Sequence, residues 1–235
     1  MENAASYDQW YDTARGRWIG RREVELILEH LQPRPGESLL DVGCGTGFFT
    51  RTLAASMDGP VHGVDISSEW VVYARQRNVG RASYMVADAR ALPYSSASFD
   101  LVVSIAAVCF IEDEVKAVDE IVRVARRRIA IGFLNRHSLL WLEKGRGGGR
   151  GGYRGAHWHT VRETKDLFRD KAVTRLRVRT AIQIPSGGRL ARVIERTWPL
   201  SFSFGGFILA VGDIAIPTLT PPDYSMHRRA VTRCR

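Results

Sequence analysis

Hydrophobic residues in this chain alternate between two patterns: short continuous runs, and stretches in which they recur every three or four positions. The runs at 38–42, 61–66, 83–86, 99–105 and 129–134 are rich in Val, Ile and Leu and read as buried strands. Helical patterning fills the intervals, opening near Gly47 or Phe48, after a cap at Ser67 or Ser68, and over 112–127. Repeated strand and helix alternation predicts a parallel sheet with helices on both faces. A first helix is expected over 6–30, broken near Gly16 or Gly20, with Val24, Leu26, Ile27, Leu28 and Leu31 as its apolar face and Pro33, Pro35 and Gly36 as its stop.

Beyond Asn135 the rhythm changes. Residues 145–155 are mostly glycine and arginine, which predicts a loop. Thr160 and Glu163 have capping-box spacing for a helix reaching about Asp170. Over 173–184, Arg175, Arg177 and Arg179 alternate with Leu176 and Val178, the period of a strand with one wet face, and 206–214 supplies an antiparallel partner. The apolar stretch 205–216 carries Asp213 and is too short to span a bilayer, so it also reads as a strand.

Composition changes this picture little. With 235 residues, 45% hydrophobic and 25% charged, one elaborated domain is expected: a helical lid over 1–32, a sheet half over 38–134 and a further segment over 135–235. The first residues lack the basic start and apolar core of a signal peptide, which places the expectation in the cytoplasm. Cys44, Cys109 and Cys234 form no CxxC pair, which suits reduced thiols, and no metal site is expected. The net charge of +9 is uneven, −7 over residues 1–120 and +16 over 121–235. Scattered arginines on solvated faces account for this more simply than a nucleic-acid surface.

Chemistry concentrates in Asp41-Val42-Gly43-Cys44-Gly45-Thr46-Gly47, directly after the first strand. Glycines there permit a tight turn and let a ligand approach backbone amides at a helix start. The dinucleotide pattern GxGxxG fails, because its third glycine falls on Phe48 or Thr50. Asp65 and Asp88 end the next two strands, so three acidic positions stand at consecutive strand ends with the glycine loop at the first.

This motif resembles motif I of class I S-adenosylmethionine-dependent methyltransferases, especially the ubiquinone and menaquinone biosynthesis branch, with the match running over 38–134. The resemblance implies a Rossmann-like, mostly parallel seven-stranded sheet with helices on both faces and an antiparallel C-terminal strand pair. It implies S-adenosylmethionine as cofactor, S-adenosylhomocysteine as product, and a small-molecule methyl acceptor. Gly43, Gly45 and Gly47 match the positions packing on the methionine and ribose, with Cys44 among them and Asp41 at the strand end. Asp65 matches the ribose-binding carboxylate and Ile66 the adenine contact. Asp88-Ala89 matches the adenine-amino position, and Ser104 with Ile105 the border between cofactor and acceptor.

Methyl transfer is an in-line displacement, so a base is needed only where the acceptor must lose a proton. Tyr11, His137 and His159 are the candidates for that role. Tyr7, Tyr11 and Trp18 are expected in the lid, and Tyr7, Trp18, Cys109, Asn135 and Arg154 against the acceptor. Quinol or phenol carbon or oxygen, or a small thiol, are the acceptor classes. Two rival readings are an RNA methyltransferase using the Arg/Gly loop and a non-catalytic cofactor-binding protein.

Overall fold

The computed structural model describes residues 3–78, 80–197 and 202–215. Two helices open the chain. α1 (Ala4–Trp10) is capped by Asn3, whose side chain accepts from Ser6 N at 2.8 Å, and α2 (Ala14–Leu31) by Thr13, which accepts from Gly16 N at 2.9 Å. The break therefore falls at 11–13 rather than at Gly16 or Gly20. Both glycines lie inside α2 because a neighbour occupies the space a side chain needs. A Cβ on Gly16 would sit 2.0 Å from the Trp10 carbonyl oxygen, and one on Gly20 2.7 Å from the Phe48 ring.

The alternation then runs as expected: β1 (Leu39–Val42), α3 (Phe48–Ala55), β2 (Val61–Asp65), α4 (Ser68–Gln76) and β3 (Ala82–Val86). It continues through β4 (Phe99–Ile105), α5 (Glu114–Val124) and β5 (Ala125–Leu134). Strand β5 begins four residues before the expected 129. Its polar start stays extended because Arg126, Arg127 and Arg128 pair with Asp100, Glu37 and Asp213, respectively. Arginines of the basic half thus pair partly with acids of the first half, and the charge asymmetry is in that measure internal.

α6 (Leu139–Lys144) precedes the Arg/Gly segment, which folds into short turns at Arg146–Gly148 and Gly151–Tyr153. α7 (Val161–Asp166) carries the expected Thr160/Glu163 capping box but ends four residues early. β6 (Val173–Ala181), α8 (Arg189–Thr197) and β7 (Phe207–Ile214) complete the described chain, and Cys234 lies outside the described residues.

The seven strands form one sheet in the order β3-β2-β1-β4-β5-β7-β6. Pairing is parallel from β3 to β5, and β7 runs antiparallel to both β5 and β6. One face is covered by α5, with Val118 and Ile121 packed in a cluster that contains Phe133 and Ile208. The other is covered by α2 and α3, through Ile27, Leu53, Leu101, Phe207 and Leu209. Strand order reverses between β1 and β4, and a ligand site is expected beyond the carboxyl ends of the strands at such a point.

Candidate active site

The glycine loop lies at that reversal. Gly43, Gly45 and Gly47 have φ of 75°, 55° and 81°, values that L side chains rarely adopt. Gly43 N and Cys44 N both donate to the Val64 carbonyl oxygen, at 2.7 and 2.9 Å, which fastens the loop to β2. Asp65 at the end of β2 fastens it again. One carboxylate oxygen accepts from Gly45 N at 2.8 Å and the other from Ser67 N at 2.9 Å, leaving a lone pair on each for a ligand. Burial pushes the Asp65 carboxyl up while these backbone donors pull it down. Ile66 beside it is 65% exposed and offers an apolar surface at the same strand end. Asp88 ends β3 in the grip of Arg90, whose guanidinium bonds hold the carboxyl at about 2. Ala89 is buried beneath it.

Three expected loop contacts are placed differently. Asp41 is sealed from solvent and accepts from the Thr50 hydroxyl at 2.6 Å, so it anchors α3 to β1 rather than facing a ligand. Burial raises its carboxyl to about 7. The Cys44 side chain turns down towards Gly63 and packs with Tyr84 and Val71, leaving its backbone alone at the loop surface. Ser104 is wholly buried with its hydroxyl unpartnered, because β4 is covered on both faces. The residues that approach the loop from β4 are Ala106, with φ of 56°, and Ala107, whose methyl stands 2.2 Å from where a Gly43 Cβ would be.

The N-terminal helix is locked onto this loop by a residue the sequence reading passed over. Asp8, buried on α1, accepts from the Thr46 hydroxyl at 2.9 Å and from Arg51 at 3.0 Å, and Tyr73 approaches at 3.4 Å. Arg51 also donates to the Thr46 carbonyl at 2.6 Å. Around this clamp aromatic rings assemble. Tyr11 stacks on Phe48 at 3.8 Å, and Tyr7 lies 6.1 Å from Tyr11 and 5.0 Å from Trp70. The Trp70 ring lies over Gly45, 3.1 Å from the place of a Cβ there. Burial pushes the Tyr11 phenol well above its usual range, which disfavours the phenolate a base would need. Trp18 stands apart from these rings and packs against the core near Gly187.

Beyond β5 the candidates separate. Asn135 is fully buried, donating to the Ser203 and Gly205 carbonyls and accepting from His137 N, so it closes the chain locally instead of facing an acceptor. Cys109 is also sealed, its sulfur accepting from Leu134 N at 3.3 Å and its thiol pushed up to about 12 by burial. His159 is 1% exposed and bonded to Glu114 at 2.8 Å, which removes it from the role of an open base. Burial raises Glu114, but the His159 bond outweighs this and holds the carboxyl low. With His157 these two form the one group of described residues whose ligand atoms suit a metal, all within 4.8 Å of one another. The carboxylate partner that the histidines lack in sequence is therefore present in space. His137 is exposed and opens onto a groove of about 680 Å³ that it shares with Leu139, Trp141, Leu142, Ile184 and Phe204. Arg154 stands exposed in the Arg/Gly turns.

Residues 40–129 match the family model described as a methyltransferase domain. An uncharacterized protein of Mycobacterium tuberculosis is 34% identical over 201 residues, covering 79% of this chain and 63% of that protein. An O-methyltransferase of Penicillium expansum is 36% identical over 113 residues, 46% of this chain and 41% of that enzyme. The chain thus spans about two fifths to two thirds of the length of these curated relatives. Among solved structures, a possible histamine N-methyltransferase of Thermotoga maritima superposes with a TM-score of 0.68 at 21% identity, covering 89% of this chain and 95% of that one. Magnesium protoporphyrin IX methyltransferase of Synechocystis, with S-adenosylhomocysteine bound, gives 0.62 at 19% identity, covering 91% and 96%. The described chain has the class I methyltransferase fold, and its residues 40–129 match the methyltransferase-domain family.

Proposed function

We propose that the protein transfers a methyl group from S-adenosylmethionine to a small-molecule nucleophile. The observation that carries this is the Asp65 carboxylate, held by Gly45 N and Ser67 N beside a loop whose three glycines all adopt positive φ. The residues fit the cofactor. Asp65 has lone pairs for two ribose hydroxyls, Ile66 an exposed apolar face for adenine, and Gly43 and Gly45 a partly exposed backbone for the methionine portion. Bound there, the cofactor supplies an electrophilic methyl on a cationic sulfur. Tyr7, Tyr11, Phe48 and Trp70 supply aromatic faces that favour a nearby cation and exclude water.

Relatives named as O-methyltransferases support an oxygen acceptor. The ubiquinone-type acceptor expected from motif I is one member of that class. No helix of the described residues is long and apolar enough to cross a membrane. The RNA reading loses its main support, since the Arg/Gly segment folds back on itself through Gly155 N to Gly148 O and Arg146 over Trp141. The test is calorimetric titration with S-adenosylhomocysteine, then product release across phenols, quinols, thiols, amines and bulk RNA. Binding with D65A as control and turnover on a phenol is the expected result. Absence of binding overturns the reading, and binding without any turnover favours a cofactor sensor.

A further inference from the structure

Beyond the ends of β4 and β5, two imidazoles and one carboxylate meet, and the cofactor site uses none of them. Glu114 opens α5 behind its cap, Asp113, which accepts from Lys116 N at 3.1 Å. His157 and His159 lie on the stretch that returns from the Arg/Gly turns to the sheet. That stretch is fixed at both ends: His157 N donates to the Cys109 carbonyl at 2.7 Å, and His159 N to the Leu134 carbonyl at 2.8 Å. The His159 carbonyl accepts from Arg136 N, also at 2.8 Å. The two rings stack, with centroids 4.4 Å apart and planes 20° from parallel.

His159 is the rigid member. Its ring is 4.8 Å from the wholly buried ring of Phe133, with Nδ1 4.0 Å from the Cys109 sulfur and Nε2 2.8 Å from a Glu114 oxygen. A hydrogen bond accounts for His159 and Glu114 but not for His157. The His157 ring is exposed and makes no hydrogen bond among the described residues, yet it has a ligand atom within 4.8 Å of one on each of the other two.

We propose that Glu114, His157 and His159 form a binding site for a divalent transition-metal ion of the zinc class. Two imidazoles and a carboxylate suit zinc or cobalt, whereas magnesium and calcium favour oxygen ligands throughout. Bonds of about 2.0–2.2 Å in tetrahedral geometry set ligand atoms about 3.3 Å apart, so the present cluster closes on an ion by shifts of about 1–1.5 Å. The side chains that have room to make them are exposed His157 and Glu114, which keeps 19% exposure, while His159 at 1% stays in place. With the ion on Nε2, Nδ1–H of His159 points at the Cys109 sulfur, a weak acceptor. Three protein ligands leave one position for water or another small ligand. The ion would pin the return from the Arg/Gly turns to the start of α5, whether or not a methyl group is transferred nearby.

The test uses the full-length, tag-free chain stripped with EDTA and then dialysed. Calorimetric titration with zinc sulfate should give one ion per chain with a Kd of about 1 µM or tighter. H157A removes an exposed ring and keeps the His159–Glu114 bond, so its far-ultraviolet circular dichroism should match wild type. Zinc should bind at least about tenfold more weakly to H157A, and likewise to E114Q. Cobalt(II) chloride should give the wild type the visible absorption of a four-coordinate ion, and H157A should lack it. Saturating zinc should raise the Tm of the wild type and leave that of H157A unmoved. Failure of the wild type to bind either metal, or zinc affinity that survives either substitution, would overturn the proposal. Neither result bears on S-adenosylhomocysteine binding at Asp65, which is measured without added metal.

Discussion

Removing Asp8 tests whether the N-terminal helix and the glycine loop are one mechanical unit. In D8A the Thr46 hydroxyl, in a residue only 1% exposed, loses the acceptor it donates to, at a cost of about 1–3 kcal/mol. Arg51 is less affected. Its side chain keeps 19% exposure and the bond to the Thr46 carbonyl, so solvent screening reduces the lost ion pair to about 1 kcal/mol. Arg77, 55% exposed and 3.6 Å away, adds almost nothing. The expected loss of stability is therefore about 2–4 kcal/mol, measured by urea denaturation. D8N keeps an oxygen for Thr46 and should lose less. Because α1 has only seven residues, the chain can also respond by releasing it. Limited proteolysis would then cleave D8A in 4–13 faster than wild type, and S-adenosylhomocysteine would bind more weakly. A denaturation midpoint within about 0.5 kcal/mol of wild type together with unaltered cofactor affinity would refute the coupling.

Three further outcomes are expected. D65A should weaken S-adenosylhomocysteine by about 1–3 kcal/mol, roughly 5–150-fold in calorimetry, since it removes ribose acceptors and frees Gly45 N; equal affinity would exclude Asp65 from the site. Burial holds Asp41 at about 7 in the folded state against roughly 3.9 unfolded, so the fold retains a proton the unfolded chain releases and loses stability as pH rises between those values. D41N should abolish that slope, at most about 1.4 kcal/mol per pH unit, and its advantage over wild type in denaturation should be larger at pH 8 than at pH 5. G43A forces a side chain to 2.2 Å from the Ala107 methyl at a φ of 75°, and should cost about 2–4 kcal/mol by the same assay.

The sheet was legible because each strand announces itself locally. Residues 99–105 are a mainly apolar run, broken only by Asp100 and Ser104, and the structure returns that span as β4 without change. The antiparallel pair was legible for a similar reason, since Arg175 to Arg179 alternate with apolar residues. Helix ends were less so. Gly16 and Gly20 look like breaks in one dimension, and only the proximity of Trp10 and Phe48 explains why α2 needs them. The site divides along the same line. Asp65 and the three loop glycines sit at positions defined by neighbours in sequence, whereas Asp8 and Trp70 acquire meaning from residues tens of positions away. His159, expected as a base, and Asn135, expected against the acceptor, are bonded elsewhere because nothing local foretells Glu114, 45 residues back, or Ser203, 68 residues on.

The reversal of strand order between β1 and β4 also divides the labour along the chain. Everything that fastens the glycine loop from the sheet comes from one unbroken stretch, residues 39–107, while the Asp8 clamp and the groove at His137 come from the segments on either side of it. The matched family model, 40–129, covers the first and stops short of both others. Mutations in the flanks can therefore reshape the clamp or the groove while the loop's fastenings to the sheet stay as they are.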